Sequence, residues 1–268
     1  MSSRPPHKAK KRFGQNFLHD AGVIQRIIAC INPKTGEHLV EIGPGQGAIT
    51  RELLKRCGRL DAIELDRDLI QPLTASCAEL GELNIHSSDA LKFDFSQLAK
   101  DGRPLRLVGN LPYNISTPIL FHLLQYADII HDMHFMLQKE VVDRMTAGPG
   151  SKTYGRLSVM MQTWCQIESL FEIGPGAFRP APKVDSAIVR LIPHVTPPYA
   201  IQDPAHFARL VTSAFAQRRK TLRNSLGKLM DAGQISAAGI DPSLRAERLS
   251  LGDFVELSNL TCKTAPPA

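Results

Sequence analysis

The feature that most limits what this chain can fold into is an alternation of two kinds of segment. "HLVEI" (38–42) reads as a buried strand, followed by a glycine loop and the helical "AITRELLKRC". "LDAIEL" (60–65) leads into "DRDLIQPLTASCAEL", "LNIHSS" (83–88) ends at Asp89, and "LRLVG" (105–109) stops just before "NLPYNIS". "STPILFHLLQY" then reads as a helix, and "DMHFMLQ" as a strand running into "KEVVDRM". Short apolar strands separated by amphipathic helices predict βαβ units and a parallel sheet, an α/β fold. After "SVMMQTWCQ" the pattern changes. "IESLFEI" and "DSAIVRLIP" flank "GPGAFRPAPKV" with no helix between them, which predicts an antiparallel, hairpin-like edge. The Pro-rich "PHVTPPYAIQDP" (193–204) reads as a linker, and only helical pattern lies beyond it. The expected organisation is therefore a basic tail (1–12), an α/β domain (13–195) and a small α-helical C-terminal domain (200–268).

Charge narrows the partners. The chain carries a net +6, and its positive residues are concentrated in "RPPHKAKKRFGQNF" and "QRRKTLRNSLGK", neither of which contains an acid. Such blocks serve as solvated faces or as contacts to a polyanion. The five cysteines are scattered and free of CxxC spacing, which speaks against a disulfide framework or a zinc site and for a reducing compartment. The N-terminal stretch lacks the apolar core of a secretory signal, and no apolar run reaches membrane-spanning length. A cytoplasmic location without membrane attachment is expected.

The ends of the strands carry the chemistry. In "EIGPGQGA" (41–48), Gly43 and Gly45 let the backbone turn tightly and approach a ligand at a helix N-terminus. About twenty residues on, Glu64 stands at the next strand end, where an acid can grip a ribose diol. Asp89, at the third strand end, can accept from an adenine amino group or serve as the N-cap of a helix over "ALKFDF". These residues point to an adenosine-containing cofactor without choosing one; a nicotinamide dinucleotide remains compatible at this point.

Asn110, Leu111, Pro112 and Tyr113 follow at the fourth strand end. A turn needs only the Asn and the Pro; the tyrosine asks for another reason. An exocyclic amine on an aromatic base is a poor nucleophile, because its lone pair is delocalised into the ring. An Asn oxygen and a backbone carbonyl fixed by a proline can hold its two N–H groups and favour a pyramidal nitrogen. Tyr113 offers a face on which a flipped-out base can stack. No strong base is needed before attack, since the proton becomes acidic once the nitrogen is alkylated.

Taken in order, "KKRFGQNFL", "EIGPGQG", "IELD", "SDAL", "GNLPYNIS" and "FRPAPKVDS" (178–186) resemble the ribosomal RNA adenine dimethyltransferases, in particular the small-subunit (16S) KsgA/RsmA family. The resemblance runs from about Lys11 to the final helices. It implies a Class I, Rossmann-like fold using S-adenosyl-L-methionine and no metal. It also implies dimethylation of two adjacent adenosines in the loop of the 3′-terminal hairpin of 16S rRNA, within the small ribosomal subunit or its precursor. By position, Asn16, Leu18 and Gly43 would lie at the methionine end of the cofactor. Glu64 would hold the ribose, Asp89 the adenine and Asn110 the target amine, with Tyr113 and Phe178 sandwiching the base. Leu111 replaces the first proline of the Pro-Pro form found in many DNA adenine methyltransferases, which fits the dimethylating branch. A monomer is expected. The alternatives are a 23S dimethyltransferase of macrolide-resistance type, a ribosome-assembly factor with secondary catalysis, and, more remotely, a nicotinamide-dependent oxidoreductase.

Two further expectations concern single residues. "HDMH" (131–134) suggests a metal site, but on a strand His131 and His134 face opposite ways. On one unbroken helix, Phe207, Leu210, Val211, Ala214, Phe215 and Leu222 form a core-facing stripe with Arg218 in its middle. That placement demands either a break near Gln217 or a partner for Arg218. If the helix continues, Arg209, Lys220 and Arg223 lie on its opposite, solvent side as an RNA-binding surface.

Overall fold

A computed structural model of the chain describes Lys10 and residues 14–262. The proposed tail over 1–12, apart from Lys10, and the Lys11–Phe13 part of "KKRFGQNFL" lie outside the described residues.

The chain forms two compact units. One comprises residues up to Val142 together with Glu168–Pro193; the other comprises Asp143–Ile167 and residues from His194 onward. The single boundary expected between residues 195 and 200 is thus one of three crossings. Residues 143–167, placed by sequence in the α/β domain, group with the C-terminal helices. Tyr154 shows why: it is fully buried in the second unit, and its hydroxyl donates to Leu249 O at 3.0 Å.

The first unit is built on a sheet of β2 (His38–Ile42), β3 (Arg59–Ile63), β4 (Glu82–His86), β5 (Leu105–Asn110), β6 (Ile130–Gln138), β7 (Cys165–Ile173) and β9 (Ser186–Pro193), in the order β4-β3-β2-β5-β6-β9-β7. The strands β2 to β6 pair in parallel and β9 runs antiparallel to β6. The two helix-free strands seen in the sequence therefore lie side by side at one end of the sheet. The chain winds outward from β2 through β3 to β4, then returns to lay β5 on the other side of β2. This reversal puts a crevice beyond the carboxyl ends of β2 and β5.

Local chemistry sets these elements. Helix α1 (Ala21–Ile31) begins at Asp20, whose carboxylate accepts from Val23 N, and buries Ile27, Ile28 and Ile31. Helix α2 (Ala48–Cys57) follows Gly47 and packs Ile49, Leu53 and Leu54 into the same core as Leu39 and Leu60; α3 (Arg67–Cys77), α4 (Ser116–Leu123) and α5 (Lys139–Thr146) follow along the chain. Gly109, which looked like the end of a strand, lies within β5. A Cβ there would sit 2.4 Å from Ile42 O, so only glycine lets the two strands approach this closely. At the other end of the sheet, Arg106 makes a two-pronged bond to Asp132 (2.9 and 2.8 Å) and reaches Glu37 and Ile31 O. A short antiparallel pair, β1 (Phe17–Leu18) with β8 (Phe178–Arg179), ties the N-terminal segment to the "FRPAP" loop.

In the second unit, α7 (Pro204–Phe215) starts at Asp203, which accepts from Ala205 N and His206 N, and buries Phe207, Leu210, Val211 and Ala214. The helix stops at Phe215, and Leu222 begins the separate α8 (Leu222–Ser225). Both answers to the Arg218 problem are present. The helix breaks, and Arg218 donates to Lys152 O at 2.6 Å and pairs with Glu247 at 3.3 Å. The unit is completed by α6 (Arg156–Trp164), α9 (Ala232–Ala237) and α10 (Leu251–Thr261), the last capped by Ser250 and Asp253.

Candidate functional site

A cavity of about 320 Å³ opens at the carboxyl edge of the sheet. Gly43 and Gly45 after β2, Glu64 after β3, Asp89 after β4 and Asn110 at the end of β5 all line it, as do Leu111, Pro112 and Tyr113. A second wall comes from Gly14–Leu18, which includes Asn16 and Leu18. Every residue expected to touch the cofactor is brought to one place.

The loop after β2 is shaped by its glycines. Gly43 (φ 70°) and Gly45 (φ 57°) both adopt left-handed backbone. A Cβ on Gly45 would also press on the Phe17 ring at 3.2 Å. Glu64 is buried and held by two backbone donors, Gly45 N to Oε2 (3.1 Å) and Asp66 N to Oε1 (2.7 Å). Burial pushes its carboxyl above the usual range, and the two N–H bonds work the other way. Asp89 caps a turn rather than the helix expected there, Oδ1 accepting from Leu91 N at 3.0 Å, and the residue lines the cavity.

Asn110 is fixed from its nitrogen side, where Nδ2 donates to Asn16 O at 3.0 Å. The amide oxygen is the group left to accept from a ligand. Leu111 is fully buried, and its N–H donates to Met136 O at 3.2 Å. Pro112 O accepts from Ile115 N, closing the turn. The Tyr113 hydroxyl meets Ser186 Oγ at 2.6 Å, which anchors the far end of the ring.

Phe178 is the exception. It is 2% exposed, pairs with Leu18 across β1 and β8, and packs into the core beside Ile188 and Met136. It does not line the cavity. The structure thus places Phe178 in the core opposite Leu18, and of the two residues expected to flank the base only Tyr113 lines the cavity. The residue of "FRPAPKVDS" that does reach Tyr113 is Ser186.

Sequence reasoning also missed the tether that holds the second wall. Gln15 Nε2 donates to Asp66 Oδ2 (2.9 Å), Lys10 Nζ pairs with Asp66 and Asp68 (2.6 Å each), and Lys10 N donates to Gln15 Oε1 (2.8 Å). Burial opposes ionisation of Asp66, but Lys10 and Gln15 more than offset it and hold its carboxyl below the usual range. The available signal was Asp66 within "IELD", two residues past Glu64. Glu41, buried at the cavity beneath the glycine loop, was also passed over.

Of the remaining residues singled out, Arg209 on α7, Lys220 in the break after it and Arg223 on α8 are all exposed. The break, rather than one continuous helix, places the last two. His131 is exposed and His134 buried on β6, on opposite faces of the strand.

A parallel sheet with a glycine loop, a ribose-type acid and an Asn-Leu-Pro-Tyr turn on one edge defines a Rossmann-like methyltransferase. The comparisons are more specific. The chain belongs to the ribosomal RNA adenine dimethylase family, whose model matches residues 6–263. A protein of Pseudomonas putida named ribosomal RNA small subunit methyltransferase A is 58% identical, over 97% of each chain. One of the same name from Saccharophagus degradans is 59% identical over 94% of each. Among solved structures, a dimethyladenosine transferase from Plasmodium falciparum superposes with a TM-score of 0.74 at 25% identity, covering 90% of this chain and 95% of that one. The 23S rRNA methyltransferase ErmE does so with 0.71 at 25%, covering 92% and 99%.

The methyl donor of the family is S-adenosyl-L-methionine, and the cavity suits it. Among the described residues that line it there are three carboxylates, Glu41, Glu64 and Asp89, and no lysine, arginine or histidine. Such a surface favours a ligand with a net positive charge.

Proposed function

We propose that the protein dimethylates the exocyclic amines of two adjacent adenosines in the 3′-terminal hairpin loop of 16S rRNA, acting as a cytoplasmic monomer, without a metal, on a small-subunit particle. The observation that carries this reading is Asn110, whose nitrogen is committed to Asn16 O and whose oxygen is thereby aimed as an acceptor beside Tyr113. When bound, S-adenosyl-L-methionine supplies an electrophilic methyl group on a sulfonium. Asn110 Oδ1 and the Leu111 carbonyl, fixed by Pro112, accept the two amine hydrogens and free the nitrogen lone pair. Tyr113 stacks on the base, and Ser186 keeps its ring in place. The proton leaves the nitrogen after alkylation, so no side chain has to remove it first. Glu64 holds the ribose diol and Asp89 the adenine amine of the cofactor.

Arg209, Lys220 and Arg223 form the surface that meets rRNA phosphates. Binding to an immature small subunit would also let the protein take part in ribosome assembly. The names of the relatives at 58% and 59% identity favour the small subunit as substrate. The likeness to ErmE keeps a 23S substrate as the second reading. Incubation with isotope-labelled cofactor and unmodified ribosomal subunits, followed by nucleoside mass spectrometry of each RNA, separates them. Label in N6-dimethyladenosine of the 16S 3′ fragment is expected. Label confined to 23S RNA would overturn the assignment.

A further inference from the structure

Glu41 is the one carboxylate of the cavity to which the proposed function gives no role. It is 2% exposed, and its Oε2 is sealed from solvent with no hydrogen-bond partner. The other two are compensated: Glu64 accepts two backbone N–H groups and Asp89 accepts one. A buried ion with an unpaired oxygen is costly unless an opposite charge is near.

The groups facing Glu41 do not supply enough of one. From α2, Thr50 brings a hydroxyl that favours the ionised carboxyl although no hydrogen bond of full geometry joins them, and Arg51 brings a guanidinium whose Nη1 donates to Gln46 O. From the end of β3, Glu64 brings a like charge, and from α3 (Arg67–Cys77) comes the buried Cys77 thiol. No basic residue among the described ones lines the cavity. The cation missing from this arrangement is one that the ligand carries, since a sulfonium cofactor is positive where its demethylated thioether product is not.

We propose that Glu41 is the counter-charge of the cofactor cavity, protonated when the cavity lacks a cation and ionised when a sulfonium enters, so that it selects S-adenosyl-L-methionine over S-adenosyl-L-homocysteine. This inference rests on the cofactor assignment above. Binding of the cation releases the carboxyl proton to solvent. After methyl transfer the positive charge passes to the alkylated nitrogen and leaves as a proton, and Glu41 regains a proton from solvent. Burial raises the carboxyl to about 7, with Glu64 adding to the effect and Thr50 and Arg51 opposing it. The sign follows: the cation binds the ionised form, so its affinity rises with pH through the neutral range.

The test is calorimetric titration with S-adenosyl-L-methionine and with S-adenosyl-L-homocysteine, in buffers of different ionisation enthalpy, between about pH 6 and pH 8. The wild-type protein should release most of one proton on binding the sulfonium near the lower end of that range, and distinctly less on binding the thioether. The affinity ratio of the two ligands should grow about tenfold across the range, as a shift of more than one pKa unit requires. Glu41→Gln should abolish both effects while retaining a wild-type melting profile. If that variant does not fold, the wild-type proton count decides alone. Equal proton exchange with the two ligands, or unchanged proton release in a folded Glu41→Gln, would overturn the role. Failure to bind either ligand would instead overturn the cofactor assignment, and this inference with it.

Discussion

The two walls of the cavity are built differently. The wall formed by the ends of β2, β3 and β5 is set by ladders of backbone hydrogen bonds, so Gly43, Glu64 and Asn110 keep their spacing as long as the sheet exists. The wall formed by Gly14–Leu18 has a two-residue pairing with β8 and a few side-chain bonds to Asp66 and Asn110. The difference assigns separate tasks. On the proposed function, Asn110, aimed at the reacting nitrogen, rises from the rigid wall, where preorganisation costs nothing at the moment of reaction. The tethered wall would cover the cofactor, and loosening it leaves the sheet intact.

The largest expected effect comes from breaking the rigid wall at its reactive end. Asn110→Ala should lower single-turnover methyl transfer by about 10²–10³, the usual cost of removing one preorganised polar contact. Cofactor affinity should change far less. Glu64→Ala should do the reverse: losing a buried charged acceptor is worth about 2–3 kcal/mol, which is roughly 30- to 150-fold in cofactor affinity by calorimetry. An unchanged affinity would remove Glu64 from the site. Loosening the tethered wall should cost less. Gln15→Ala loses its bonds to Asp66 and Lys10, and a fall of about fivefold in cofactor affinity, about 1 kcal/mol, is expected.

Leu111→Pro sharpens the comparison at a single backbone atom. The substitution removes the N–H that donates to Met136 O and stiffens the turn. After one methyl transfer the amine has a single hydrogen left and needs room for the methyl already added. The second transfer should therefore suffer more than the first, read as a higher ratio of mono- to dimethyladenosine; an unaltered ratio would count against this. The smallest effect on chemistry belongs to the second unit. Lys220→Glu with Arg223→Glu should weaken small-subunit binding and reduce the log–log salt slope by about 0.7–0.9 for each lost phosphate contact. Cofactor affinity should not move. A wild-type slope would mark these charges as a solubilising face.

How much of this was legible in the sequence follows the same division. The rigid wall could be read because strand patterns and strand-end residues are local: "HLVEI" matches β2 residue for residue, Glu64 and Asp89 each follow a strand, and Asn110 ends one. The tethered wall depends on contacts between residues about fifty positions apart, Gln15 to Asp66 being one, and no periodicity announces those. Phe178 of "FRPAPKVDS" depends on a distant pairing too: opposite Leu18 it packs in the core, and Ser186 is the residue that meets Tyr113. Residues 143–167 are a related case. Helix α6 follows the α/β pattern in sequence, but its apolar residues belong with the C-terminal helices, which composition along the chain does not reveal.

The most direct test of the two-wall account is single-turnover methyl transfer at saturating S-adenosyl-L-methionine, measured side by side for the wild type, Gln15→Ala and Asn110→Ala. The account predicts that saturation restores Gln15→Ala to near the wild-type rate while Asn110→Ala stays about 10²–10³ below it. Equal losses in the two variants at saturation, or a near-normal rate for Asn110→Ala, would contradict it.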